Sequence, residues 1–184
     1  MIWRCRDLTF DLTDRVLVMG IVNVTPDSFS DGGRFAQSVD AKRQCEQALE
    51  DGAEILDIGG ESSRPGAAPV SEQQELERIG PVLERALALG CPVSVDTVKP
   101  GVMRSVLGMG ADIINDVRAL QQPGALTAVA AHPSCGICLM HMLGEPRTMQ
   151  ADPRYGDVVS EVAAFLEERL RFAVGAGIPE ERIC

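Results

Sequence analysis

The chain has 184 residues, 45% of them hydrophobic and 24% charged, which suits one domain over residues 1–184 with a sizeable core and excludes a disordered polymer. A formal net charge of −10 without any Lys/Arg cluster speaks against a nucleic-acid partner. No apolar run approaches the length that spans a bilayer, and MIWRCRDLTF lacks the apolar stretch of a secretory signal, so the expected location is cytoplasmic with no membrane partner.

In chain order, Ile2 to Asp14 reads as a small hairpin with its turn at Asp11–Asp14. Five near-continuous apolar runs follow, Val16–Asn23, Glu54–Gly59, Pro92–Asp96, Asp112–Asp116 and Gly136–His141, each of the length and composition of a strand covered on both faces. Helical segments separate them. Val39–Asp51 places Ala41, Cys45, Ala48 and Leu49 on one face, with Gly52 as the residue that ends it. Ser71 and Gln74 form a capping box ahead of Leu76, Ile79 and Leu83, and Pro81 is expected to kink or restart that helix. Pro100 opens a third helix and Pro123 a fourth. The fifth is long, with Val158, Val162, Phe165, Leu166 and Ala173 inward, and Arg182–Cys184 reads as the opening of a sixth strand.

Strands alternating with helices predict an α/β fold around a parallel sheet. Five units and a stub fit either an open doubly wound sheet or part of an eight-stranded barrel, which takes about 250 residues. Six cysteines are scattered. Cys135 and Cys138, with His141 nearby, have metal-like spacing, but Cys138 sits in a strand-like run and the reading is of buried thiols.

The strands finish on polar residues: Asn23, Asp57 with Glu61 beyond it, Asp96, Asn115 with Asp116, and His141. In a parallel barrel these ends share one rim, where sites are built. Acceptors and amides there suit a flat, nitrogen-rich ring whose N–H groups match carboxylate oxygens; each residue taken singly is equally well read as a cap for the loop that follows it. The loop Thr25–Gly33 is long and dense in turn formers, and Gly59–Ala67 mixes glycines and hydroxyls with Arg64, which can hold an anion. No GxxxxGK[ST] phosphate loop occurs.

Taken together, GIVNVTPDSFSDGG, LDIGGESSRPGA, SVDTVKP, IINDVRAL and LMHMLGEPRTMQ resemble the dihydropteroate synthase family, in family order and spacing from about residue 15 onward. The resemblance implies a (β/α)8 TIM barrel, with about five β/α units and the start of a sixth strand present. It implies condensation of 6-hydroxymethyl-7,8-dihydropterin pyrophosphate with p-aminobenzoate, with Mg2+ as cofactor. By the same resemblance, Asn23 holds the metal and pyrophosphate, Asp96 and Asn115 read the pterin's polar edge, and Met140 walls it. Ser63 matches a hydroxyl position, usually Thr, near the pyrophosphate and p-aminobenzoate, and Arg64 and Pro65 follow in the same substrate-binding loop. Pro26, Asp27 and Phe29 lie in the loop that covers p-aminobenzoate, where sulfonamides compete, and Asp27 is the candidate catalytic group. Val98 replaces the usual Ser or Tyr.

The family continues with a DPG-type Asp, a GFGK-like loop, a Lys, and an Arg with His, none of which lies in these 184 residues. The expectation is therefore open sheet edges, a partial site, little turnover from this chain alone, and a homodimer for a complete protein. The alternative is a pterin-binding barrel of the corrinoid methyltransferase type.

Overall fold

The computed structural model describes residues 1–24, 33–61, 69–144, 149 and 152–184. A two-stranded antiparallel hairpin, β1 (Ile2–Cys5) and β2 (Leu8–Asp11), precedes five parallel strands: β3 (Met19–Asn23), β4 (Ile55–Gly59), β5 (Val93–Asp96), β6 (Ile113–Asp116) and β7 (Gly136–Leu139). Helices α1 (Gly33–Glu50), α2 (Glu72–Leu87), α3 (Pro100–Met109) and α4 (Ala125–Ala130) connect them in turn, and α5 (Val158–Gly175) follows β7.

The sheet order is β3-β4-β5-β6-β7, each strand beside the next in sequence. A doubly wound sheet reverses its order partway across; a barrel does not. Strand order thus resolves what length left open, and the sheet is an arc of a β/α barrel. A sixth strand begins where expected, although Glu180–Arg182 forms a short 3-10 turn. Ile183 then bridges Ile137 in parallel; Cys184 N–H donates to Ile137 O and Leu139 N–H donates to Cys184 O, each at 2.8 Å.

Alternation sends Val22, Leu56, Ile58, Val93, Val95, Ile114 and Ile137 outward into the main core, where they meet Ile79, Val82, Leu83, Val102, Met103 and Val129 from the helices. Each such side chain, fully buried, is worth roughly 1.5–3 kcal/mol. A second core lies below the inner face. Trp3 and Cys5 of the hairpin pack on Ile55 and Ile113, the first inward residues of their strands. The Trp3 indole N–H donates to Arg182 O at 3.0 Å, tying this floor to the chain's last turn.

Several boundaries differ from expectation. The hairpin turns at Arg6–Asp7, with Arg6 at φ 56, and Asp11 instead binds Thr13 through both its backbone N–H and its hydroxyl. The first barrel strand starts at Met19, because Val16 and Val18 are exposed. Helix α1 begins at Gly33 rather than Val39. Helix α2 runs through Pro81: its buried stripe of Ile79, Val82, Leu83 and Ala86 outweighs the single missing donor. The Ser71–Gln74 capping box is present with both of its bonds. Helix α5 keeps Ala173 buried but leaves Val158 exposed. Ala163, Leu166 and Leu170 of α5, with Met1, Ile2, Leu139 and Ile183, line an apolar cleft of about 850 Å³ beside the last bridge.

Candidate functional site

The parallel register carries one row across all five strands: Asn23 pairs with Gly59, Gly59 with Asp96, Asp96 with Asn115, and Asn115 with Cys138. Residues in one row of a parallel sheet share a face, so three candidates from separate motifs, Asn23, Asp96 and Asn115, stand side by side at the carboxyl rim. Gly59 leaves the gap between the first two. The point where a Cβ on Gly59 would stand lies 3.5 Å from Asn23 Oδ1 and 3.8 Å from Asp96 Oδ2. Met140 follows Cys138 by two residues, just beyond the end of β7, half-buried and with its backbone N–H donating to Asp116 O. Asp27, Pro26, Phe29, Ser63, Arg64 and Pro65 lie outside the described residues.

Below this row sits a carboxylate to which the sequence reading gave no separate role. Asp57 is 4% exposed, two residues deeper on β4, and accepts the Asn115 side-chain amide at 3.0 Å. Burial raises its pKa, and the Ser94 hydroxyl and Asn115 amide pull it back. That hydroxyl dipole favours the carboxylate without a well-formed bond, for among the described residues Asp57 Oδ1 and Ser94 Oγ have no hydrogen-bond partner. Burial pushes the Asp96 carboxyl up to about 7, with Asp57, Asp116, Glu75 and Glu61 adding repulsion. Asp96 therefore exchanges its proton near neutrality, and any donor brought to it favours the charged form.

The other strand-end acids are structural. Asp116 is fully buried and accepts the N–H groups of Arg118 (2.8 Å) and Leu120 (2.9 Å), bracing a loop in which Ala119 and Leu120 have φ of 49 and 59. Glu61 accepts from the Lys99 ammonium, which also pairs with Glu75, itself 1% exposed on α2. Glu61 also accepts Val70 N–H at 3.4 Å, while Arg78 donates to Gly60 O at 2.8 Å. These contacts fix where the chain leaves β4 for residues 62–68 and where it returns. Gly60 has no room for a side chain, since a Cβ would stand 2.8 Å from Ile79 Cγ1.

His141 stacks edge-on with Phe165, ring centroids 5.0 Å apart. Cys135 and Cys138 do not converge: Cys135 faces the main core beside Arg182, and Cys138 lies in the rim row, its thiol pushed up to about 12 by burial and the nearby charges of Cys184, Asp57 and Asp96. Among the described residues no three His, Cys, Asp or Glu groups gather as metal ligands. Asn23 Oδ1 is a hard, neutral oxygen of the kind magnesium takes together with phosphate oxygens and waters, so residue and ion are compatible.

A family model described as "Pterin binding enzyme" matches residues 19–184. Dihydropteroate synthase of Neisseria meningitidis serogroup B is 50% identical over 172 residues, 92% of this chain and 60% of the relative. A solved dihydropteroate synthase of Xanthomonas albilineans with 4-aminobenzoic acid superposes with a TM-score of 0.88 at 50% identity, over 99% of this chain and 64% of that one. The Burkholderia cenocepacia enzyme complexed with 7,8-dihydropteroate gives 0.86 at 46%, over 100% and 61%. The chain thus spans about 60% of the length of the curated relatives it matches. With its rim row, its sequential strand order and this match across nearly all its residues, the chain belongs to the pterin-binding enzyme family.

Proposed function

We propose that the protein carrying this chain is a dihydropteroate synthase, joining the pyrophosphate ester of 6-hydroxymethyl-7,8-dihydropterin to p-aminobenzoate. The observation that carries this reading is the single row of Asn23, Gly59, Asp96 and Asn115 on one face of the sheet. A pterin's amino and ring N–H groups are donors in one plane, and Asp96 offers a carboxylate that gains charge-assisted bonds when they arrive. Asn115 adds an amide beside it, Gly59 leaves the ring room to approach, and Met140 closes one side. The relatives' complexes with 4-aminobenzoic acid and with 7,8-dihydropteroate support the same pair of substrates.

In the reaction, the bond from the pterin's exocyclic methylene carbon to the pyrophosphate oxygen breaks, and the amine nitrogen of p-aminobenzoate bonds to that carbon, losing a proton to the departing anion or solvent. The electron-rich ring shares the developing positive charge, so no strong base is needed. Asn23 would hold a magnesium ion, which when bound neutralises the leaving group. Ser63 and Arg64 would bind the anion, and Asp27 would face the developing cation.

The test is condensation by the complete protein with and without a sulfonamide, together with pterin binding by that protein and its Asp96→Ala variant. Loss of pterin binding in Asp96→Ala and sulfonamide inhibition are expected. Pterin bound equally by both forms, or methyl transfer from methyltetrahydrofolate in place of condensation, would overturn the reading.

A further inference from the structure

A buried carboxylate that contacts no reacting group in the proposed mechanism lies directly beneath the rim. Asp57 is on β4, Asn115 is on β6, and β5 runs between them. The register pairs Asp57 with Ser94 and Ser94 with Ile113, so Asn115 must reach back and down across β5 to meet Asp57 at 3.0 Å. Ser94, fully buried at the crossing, is small enough to let it pass.

We infer that Asp57 is a positioning residue, which by holding the Asn115 amide nitrogen turns the Asn115 carbonyl oxygen toward the mouth and so makes this end of the site demand a donor from the ring. The inference rests on the pterin-binding reading and deepens it.

An amide's nitrogen and oxygen diverge by about 120° at the trigonal Cγ, and left alone they exchange places at little cost. A carboxylate can only accept, so the atom facing Asp57 must be the nitrogen. Asp57 lies deeper than the rim row, so nitrogen toward Asp57 means oxygen toward the opening. With Asp96 also an acceptor, two adjacent rim positions present oxygens to one edge of the ligand. An edge of N–H donors, such as the 2-amino group and neighbouring ring N–H of a pterin, satisfies both. A ring with an acceptor there would leave two half-buried oxygens facing a third, at a penalty of about tenfold or more in affinity.

The experiment uses the complete protein that carries this chain, with 6-hydroxymethylpterin as a fluorescent probe and side-chain amide NMR of Asn115. In the parent, one Asn115 amide proton should be shifted downfield and slow to exchange. Asp57→Asn should abolish that signature and weaken pterin binding about tenfold. The swap Asp57→Asn with Asn115→Asp restores an amide-to-carboxylate bond and still leaves an acceptor oxygen at the mouth. It should bind pterin within about threefold of the parent. A purely structural role for Asp57 predicts no such rescue.

An Asn115 signature unchanged in Asp57→Asn, pterin affinity within twofold of the parent in that variant, or a folded swap without recovery would each overturn the inference. Should Asp57→Asn fail to fold, a parent whose Asn115 amide protons exchange freely overturns it, and a protected, shifted proton upholds it. Absence of pterin binding in the parent would sink the functional reading, and the Asn115 resonances would still decide the role of Asp57.

Discussion

Asn23 and Asp96 stand on either side of Gly59, with only the space of a missing side chain between their oxygens. A methyl at position 59 would make ordinary contact with both, at 3.5 and 3.8 Å, and its three nearest neighbours among the described residues are side-chain atoms. Gly59→Ala should therefore fold normally, with any change in stability within about 1 kcal/mol, while filling the place a ring would occupy. The expected result is an unchanged thermal midpoint with pterin affinity reduced at least about tenfold. A variant that still binds pterin would move the ligand away from this row.

Lys99 holds two carboxylates together, one of them the fully buried Glu75. Removing the cation leaves Glu75 and Glu61 facing each other without a counter-charge. Breaking one side of a buried pair costs about 3–5 kcal/mol, so Lys99→Met should lower the melting temperature by roughly 10 °C for a chain of this size. Lys99→Met with Glu75→Leu should regain most of the loss. If the double variant is no more stable than the single one, the cluster is not a coupled unit.

Acid titration gives a third check. The Asp96 carboxyl is raised to about 7, whereas an Asp in an unfolded chain ionises near 3.9. Between those values the folded chain keeps a proton that the unfolded chain has lost, so stability falls as pH rises. The contribution is complete below about pH 4 and gone above about 7, on the order of 2–4 kcal/mol. Asp57, Asp112 and Asp116 are shifted in the same direction by burial. Urea midpoints should fall from pH 5 to 7.5, and Asp96→Asn should flatten that slope. An equally steep slope in the variant would show that Asp96 is not the group responsible.

Much of this arrangement was legible in the chain. Apolar runs ending in Asn23, Asp96 and Asn115 are local signals, and alternation does the rest once the strands align in order. Hydrophobic period located the helices, although α1 starts six residues before its expected Val39, and the Ser71–Gln74 cap formed as read. What escaped depends on distance in space. Asp57 was visible as a strand-end acid, but its bond to Asn115 joins β4 to β6 across β5, which no local pattern shows. Lys99 and Glu75 lie 24 positions apart and meet through the packing of α2 against α3. The hairpin turn was misplaced because Arg6 adopts a positive φ that sequence disfavours, compensated by its backbone N–H donating to Ser134 O.

The hairpin's seat beneath the inner face is the most sharply testable piece of packing. A Cβ added to Gly136, the first residue of β7, would press into the Cys5 sulfur and lie 3.0 Å from Cys5 Cβ and 3.2 Å from Ile113 Cγ1. Both neighbours are buried, so neither side can give way freely. Gly136→Ala should cost about 1–3 kcal/mol from overpacking. Cys5→Ala alone removes a buried sulfur and should cost roughly 1–2 kcal/mol from the cavity it leaves. Combined, the added methyl occupies the space the sulfur vacated, so the double variant should be at least about 1 kcal/mol more stable than the sum of the two losses predicts. Denaturant melts of the four forms measure that coupling directly, and strict additivity would mean that Cys5 is not seated against β7 in solution.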